Sequence, residues 1–341
     1  MNSLISLDSR AGSDIAKLTD FDQVLSKSGL NFEIESVRPH TPEGDEVNNK
    51  WMIRRTDNHD VLGIVGNRYN TVSNKSMLKP FHSMVCKYGA KYENAGMVDG
   101  GARCWVSATM PEGFAVDNRP EDVIQQRIMA FFTHNGTSKN AYFSIAHRVF
   151  CNNQLNVVSR EASKSDYSIR HVRNWEDQLL DAHLGFENAL ALHKEFEYTA
   201  NQLNSVPMTV KEMRGFANLV IAENKYASKS KPGEKQPPID KDKQERKLQR
   251  LNNRREMLVD LFTQGAGNKG ESRWDALNAV TEFVDHHNQI SRVNHPTRGQ
   301  VHAEKRLFGN LFSGNGVRTK QRAVDLLLST STFKSVAPCA V

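Results

Sequence analysis

Apolar residues recur in two different rhythms along the 341-residue chain, and the rhythm changes after Cys151. Before it, short β-prone runs occupy Phe32–Val37, Trp51–Arg55, Val61–Val65 and Tyr69–Ser73, separated by turn-forming stretches such as Pro39–Asn49. One helix interrupts them. Met77, Phe81, Met84, Val85 and Tyr88 make its apolar stripe, with Asn74 as the expected N-cap of a helix from Lys75 to Tyr88 and Gly89 as its stop. Three longer alternating runs follow: Ala102–Met110, Val123–Thr133 and Ala141–Val149. The last two are joined across His134-Asn135-Gly136-Thr137, where Asn-Gly suits the positive φ angles of a hairpin turn, so the three predict an antiparallel meander. Residues 1–30, polar with a weak helical pattern near Asp20–Leu30, read as a loosely tethered lead-in.

Beyond Cys151 the spacing becomes helical. Trp175, Leu179, His183, Phe186, Leu190, His193 and Phe196 mark one face of a long helix at 174–203. Thr209 and Glu212 stand at capping-box spacing, with Met208 placed to staple onto Met213, and open a helix running to about Glu223. Residues 225–245 predict a basic mobile loop, with three prolines and no strong apolar residue except Ile239. Helical spacing resumes through Leu248, Leu251, Leu258 and Phe262. Further helices are expected at 272–290, opened by Ser272 and Asp275, and at 318–331. No repeat or sustained heptad is present. The expected fold is α+β: an antiparallel β-meander platform with helices (31–160), followed by mainly helical regions (161–224 and 246–335).

Composition sets limits around this pattern. With 38% hydrophobic residues the chain can bury one large core or two modest ones, which excludes a disordered chain and a disulfide-stapled miniprotein. The formal net charge is +6. Lys225–Arg255 alone carries eleven Lys and Arg against four Asp and Glu, so the positive charge is concentrated there. No apolar run approaches the roughly 18 residues of a membrane helix, and the opening residues lack the pattern of a signal peptide. A soluble, cytoplasmic protein without membrane association is expected. Cys86, Cys104, Cys151 and Cys339 are scattered without a C-x-x-C pair and read as reduced thiols.

The meander carries the first chemical pattern. Alternation sets Arg103, Trp105, Ser107 and Thr109 on one face of their strand, and Tyr142, Ser144 and Arg148 on one face of theirs. If these form a shared accessible face, Trp105 and Tyr142 stack unpaired bases while Arg103 and Arg148 meet phosphates; the alternative is an amphipathic sheet covered by helices. Two glycine loops form a second pattern. Gly265–Gly270, with Lys269, precedes Arg273, and Gly314-Asn-Gly316 precedes Arg318, Lys320 and Arg322; backbone N–H groups at a helix start beside cations suit phosphate oxygens, although both loops also read as plain connections. Neither matches the nucleotide P-loop, because Gly265 is not followed at the required spacing by Gly-Lys-Ser/Thr.

Glu282, Asp285, His286 and His287 bring acids and imidazoles together, but a third ligand at a defined spacing is missing, so hydrogen bonding in helix packing is expected and no metal or cofactor is implied. No Ser-His-Asp or Cys-His arrangement is read from the spacing. Lysines of the basic segment, among them Lys229 and Lys231, either grip a nucleic-acid backbone or form a solvated loop.

Several stretches together resemble the phage/plasmid-like protein family, a domain of unknown function found in bacteriophages, prophages and plasmids. They are Val65-Gly66-Asn67-Arg68-Tyr69 with Asn74, Arg148-Val-Phe-Cys151-Asn152-Asn153-Gln-Leu155, Arg170-His171 with Trp175, the run from Arg273 to His286, and Gly314-x-Gly316 followed by Lys320-x-Arg322-Ala323. The resemblance covers about residues 60–330 and implies a mobile-element origin and work on DNA, with host-cell cytoplasm as the setting. No catalytic residues come with it. Arg68 and Tyr69 join the expected nucleic-acid contacts. The leading expectation is a non-enzymatic, homo-oligomeric protein that binds single-stranded DNA or RNA and promotes strand annealing in phage recombination or replication. The alternative is an interaction or assembly protein that binds a host or phage protein through its helical half. A metal-dependent nuclease built on Glu282, Asp285 and His286 ranks below both.

Overall fold

The computed structural model describes residues 12–149, 151–156, 168–169, 171, 173, 175, 177, 193–221, 241–287, 308–312 and 314–329. The chain divides into two compact units, Met1–Tyr198 with Ile290–Gly314, and Thr199–Gln289 with Asn315–Val341. In chain order the first unit runs β1 (Ser13–Asp14), α1 (Phe21–Lys27), β2 (Ile34–Val37), β3 (Lys50–Arg55), β4 (Val61–Gly66), α2 (Asn74–Lys87), β5 (Lys91–Val98), β6 (Arg103–Val116), β7 (Arg119–Thr133), β8 (Asn140–Arg148), β9 (Asn153–Asn156) and β10 (Ser168–Ile169). The second holds α3 (Val210–Val220), α4 (Lys241–Gln264), α5 (Arg273–Glu282) and α6 (Asn315–Leu328). The fold is α+β with a helical C-terminal half. Among the described residues no helix is long and apolar enough to cross a membrane.

A seven-stranded sheet orders its strands β1-β5-β6-β7-β8-β10, with β9 also paired to β8, and every pairing is antiparallel. The meander is larger than its alternation suggests, with β5 before the three expected strands and β9 after them. β5, with its mixed Lys91-Tyr-Glu-Asn-Ala run, pairs with β6 across a bulge near Tyr92 and Ala95. β2, β3 and β4 form a separate three-stranded sheet. Tyr69–Ser73, β-prone by composition, is not a strand but the path from β4 into α2.

Both faces of the large sheet are covered. On one, Cys104, Val106, Ala130, Phe132 and Tyr142 meet Met77, Leu78, Phe81, Met84 and Val85 of α2, together with Ile15, Val24, Leu25 and Leu30. Residues 12–30 of the expected lead-in therefore contribute to the core, and Asp20 caps α1 by accepting from the N–H of Gln23. On the other face Val98, Trp105, Met129, Phe131 and Ile145 cluster with Leu311. Gly96 makes room for the Trp105 ring, since a Cβ there would lie 2.6 Å from it.

Ser73, not Asn74, caps α2, accepting from the N–H of Ser76. Asn74 is buried instead, and its amide donates to the carbonyl of Leu30 at 2.9 Å. That fixes its oxygen toward His134 Nε2, 2.7 Å away, so the imidazole carries its proton on Nε2 and ties the end of β7 to the start of α2. Burial, with a smaller contribution from His171, pushes His134 down to about 3.

In the second unit the expected capping boxes form at Thr209 with Glu212 and at Ser272 with Asp275. Met208 and Met213 are both buried. The helix expected at 272–290 is α5 followed by a π-helical turn at Phe283–His287. The helix expected at 318–331 begins three residues earlier, as α6. Residues 193–205 are helical, while most of the earlier part of the helix expected at 174–203 lies outside the described residues, as do 1–11 and most of the loop at 225–245.

Three outcomes follow from this packing. Gly96→Ala should lower the stability of the first unit by roughly 1–3 kcal/mol through overpacking against a rigid indole, measured by urea denaturation; an unchanged midpoint would show that the ring has room. For His134, the unfolded chain takes up a proton before the folded one as pH falls, because the folded value lies below that of a free imidazole. Its contribution is thus full above about pH 6.5 and declines toward about pH 3, and a His134→Gln variant should show a flatter dependence of Tm on pH over that window. In the second unit Lys320 Nζ stands 2.5 Å from Asp285 Oδ1 with both side chains buried. Lys320→Met alone should therefore cost about 3–5 kcal/mol, while Lys320→Met with Asp285→Leu recovers most of the loss; equal losses in both variants would contradict a charge-pair origin.

Candidate functional site

The expected base-stacking platform does not exist as an accessible surface. Register pairs Tyr142 with Ala130, and Ala130 with Val106, so Tyr142 shares the α2-facing side with Val106, whereas Trp105 points to the opposite side. Trp105 is 0% exposed and Tyr142 1%, its hydroxyl donating to the carbonyl of Met77 at 2.8 Å. Arg148 is also internal. Its guanidinium, 2% exposed, donates to both oxygens of Asp122, at 2.5 and 2.6 Å. Burial opposes that charge, and the hydrogen bonds to Asp122 together with the Cys151 sulfur more than offset it, raising the Arg148 pKa further. Arg103, part-exposed, is held by Asp99.

The glycine loop at 265–270 meets a similar correction. Its backbone donors serve the protein's own carboxylates: Ala266 N–H donates to Glu282 Oε2 at 3.0 Å, and Lys269 and Glu271 donate to the two oxygens of Asp275 at 3.2 and 3.0 Å. The place at the helix start where a phosphate would sit is thus taken by Asp275, stabilised there by the same N-terminal dipole that would favour a bound anion. Arg273 donates to the carbonyl of Leu327 at 2.6 Å, and Lys320 is engaged with Asp285. Glu282 and Asp285 act as hydrogen-bonding and ion-pairing groups within the helix packing. Among the described residues no group of three or more His, Cys, Asp and Glu could hold a metal ion. Lys269, Arg318 and Arg322 are exposed, Lys269 in the loop before α5 and the two arginines one turn apart on α6, while Lys229 and Lys231 lie outside the described residues.

Arg68 and Tyr69 do converge with other residues. The turn after β4 and the hairpin between β7 and β8 enclose an open cleft of about 610 Å³, lined by Gly66, Asn67, Arg68, Tyr69, Gly136, Thr137, Ser138, Lys139 and His171. Each wall is fixed locally. Tyr69 N–H closes the first turn onto Gly66 at 3.0 Å, and Asn67 donates to Asn49 at 2.7 Å. In the hairpin, Asn135 Oδ1 accepts from the N–H of Thr137 at 3.0 Å, and Gly136 takes φ 70° where a Cβ would stand 2.9 Å from Val65.

His171 joins the two walls. Its ring stacks on Tyr69, centroids 4.4 Å apart and planes 16° from parallel, and its carbonyl accepts from the N–H of Asn70 at 3.0 Å. Its Nδ1 lies 3.2 Å from the carbonyl of Asn70, and its Nε2 3.1 Å from Asn140 Oδ1. Burial pushes the imidazole down to about 4, partly countered by the Asn70 carbonyl, and keeps the Tyr69 hydroxyl protonated. Arg68 and Lys139 are exposed, and among the described residues no carboxylate lines the cleft and none forms an ion pair with Arg68. Cations, hydroxyls and a ring stack around one hollow suit an anionic ligand with a flat apolar part.

Sequence reasoning singled out Arg68, Tyr69 and His171 but had no means of grouping them, since about a hundred residues separate Tyr69 from His171. It missed Lys139 and the hairpin hydroxyls. It also missed a second arrangement that one helical turn would have shown: the exposed Cys86 has its Sγ 3.6 Å from His82 Nε2, and His82 Nδ1 lies 2.8 Å from the Tyr92 hydroxyl.

Neither the curated proteins nor the solved structures contain a match to this chain. A family model does match: residues 61–325 fit the family described as Domain of unknown function (DUF932), spanning the β4 turn, the hairpin, His171, α3 to α5 and α6 as far as Asp325. With that extent of match, the chain belongs to the DUF932 family.

Proposed function

We propose that the protein binds single-stranded nucleic acid, and that the cleft between the β4 turn and the β7–β8 hairpin is where it does so. The observation that carries this reading is the meeting of Arg68, Lys139 and the Tyr69–His171 stack around one hollow that no described carboxylate lines. About 610 Å³ matches the volume range of small-ligand sites and accommodates a nucleotide. Arg68 and Lys139 offer charge-assisted donors to phosphate oxygens, Thr137 and Ser138 offer hydroxyls, and the Tyr69 ring offers an edge for a base. A base paired in a duplex would not enter such a hollow, which favours unpaired strands.

No chemical step is required of these groups. Neutralising and presenting a strand is sufficient for annealing, so the proposed activity is non-enzymatic, in the phage or plasmid setting that the family resemblance implies. The basic segment at 225–255 supplies a second, sequence-independent attraction that raises the local concentration of strand.

Fluorescence anisotropy with oligo-dT and with a duplex of equal length, over a salt series, tests the reading. Arg68→Ala and Lys139→Ala are expected to weaken single-strand binding and to flatten the slope of log affinity against log salt by about 0.7 for each lost contact. Wild-type affinity and slope in the double variant would remove the cleft from consideration, and equal affinity for duplex would contradict strand selectivity.

A further inference from the structure

The hydrogen bonds around His171 do not close with a neutral ring. Thr133 N–H donates to Asn140 Oδ1 at 2.9 Å, which fixes that oxygen, and not the amide nitrogen, toward the cleft-lining imidazole. His171 Nε2 lies 3.1 Å from the same oxygen, and Nδ1 lies 3.2 Å from the Asn70 carbonyl, which is likewise an acceptor. A neutral imidazole carries one N–H, so one of these two contacts sets a lone pair against a lone pair. The imidazolium would donate to both. The Asn140 amide nitrogen, buried and without a hydrogen-bond partner among the described residues, agrees with an orientation dictated by the oxygen.

What opposes the proton is the surrounding charge and burial. Tyr69 faces the ring from the β4 turn with a protonated hydroxyl, and Arg68 stands beside it on the same turn. Lys139 lines the cleft from the hairpin, and His134 approaches from the end of β7 as a neutral ring. No described carboxylate lines the cleft, so its described lining offers acceptors for both N–H groups but no negative charge. A phosphate bound by Arg68 and Lys139 would provide that charge.

We propose that His171 determines the cleft's selectivity for anions by taking up one proton when a phosphate-bearing strand binds. This rests on the nucleic-acid reading of the cleft and adds to it a proton as an obligatory co-ligand. Linkage then requires affinity to rise as pH falls, by up to about tenfold per pH unit between the titration points of the bound and free states.

Calorimetric titration of oligo-dT into the protein at about pH 6, in two buffers of different ionisation enthalpy and free of phosphate, counts the protons taken up. Uptake approaching one per site is expected, together with affinity that rises on acidification; His171→Gln should bind more weakly, and the binding it keeps should show neither the uptake nor the rise. A second measurement needs no variant. Ring-nitrogen NMR shifts of His171 in the wild-type protein should report a neutral ring alone and a doubly protonated ring with oligo-dT. Binding with no dependence on buffer, uptake unchanged in His171→Gln, or a ring that stays neutral in the complex would each overturn the proton coupling while leaving the cleft as a strand site. Failure of oligo-dT to bind at all would overturn the nucleic-acid reading and this inference with it.

Discussion

The antiparallel pairing of β6, β7 and β8 sends Trp105 to one side and Tyr142 to the other, and water reaches neither ring. Much else is a consequence of that double burial. A sheet covered on both faces must satisfy its polar side chains internally, which is why Arg148 is gripped by Asp122, why Arg127 donates to Glu93, and why Gln126 donates to Ser144. Such groups contribute little net stability, but they penalise any register that separates them. Ligand chemistry is left to the ends of strands, where turns are exposed and backbone geometry is adaptable. The cleft occupies such a place, at the end of β4 and between β7 and β8.

The second unit handles charge by the same economy. Asp275 occupies the N-terminus of α5, Glu282 reaches the loop before it, and Asp285 neutralises Lys320 inside the helical packing. Residues that look like a phosphate cradle or a metal cluster in one dimension are, in three, the counter-charges of the helices themselves. Of their exposed cations, Arg318 and Arg322 stand one turn apart on α6 and Lys269 lies in the loop before α5.

Legibility in the sequence tracked distance along the chain. Capping boxes at Thr209 and Ser272 were readable because both partners lie within one turn. The three long strands of the meander were readable as strands, while β5 was missed and Tyr69–Ser73 is not a strand, and the phase between strands was not readable. Alternation assigns faces within a strand, whereas the phase between strands is set by their pairing: Tyr142 stands opposite Ala130, and Ala130 opposite Val106, which puts Tyr142 on the side away from Trp105. Asn74 illustrates competition: a good cap by residue type, it was needed in the core to bind Leu30 and His134, and Ser73 capped the helix instead. The cleft was half visible, with Arg68, Tyr69 and His171 noticed separately. Only folding could show that the first two and the third meet.

His171 is delivered to that meeting by β10, a strand whose pairing with β8, among the described residues, joins Ser168 to Ala141 and Ile169 to Asn140. Two residue pairs at a sheet edge are a weak fastening, and edge segments of this kind open at a small fraction of the free energy of global unfolding. The cleft and the edge are therefore one cooperative element: whatever occupies the hollow also holds the seam shut, and whatever frays the seam dissolves the binding site without unfolding the rest of the protein.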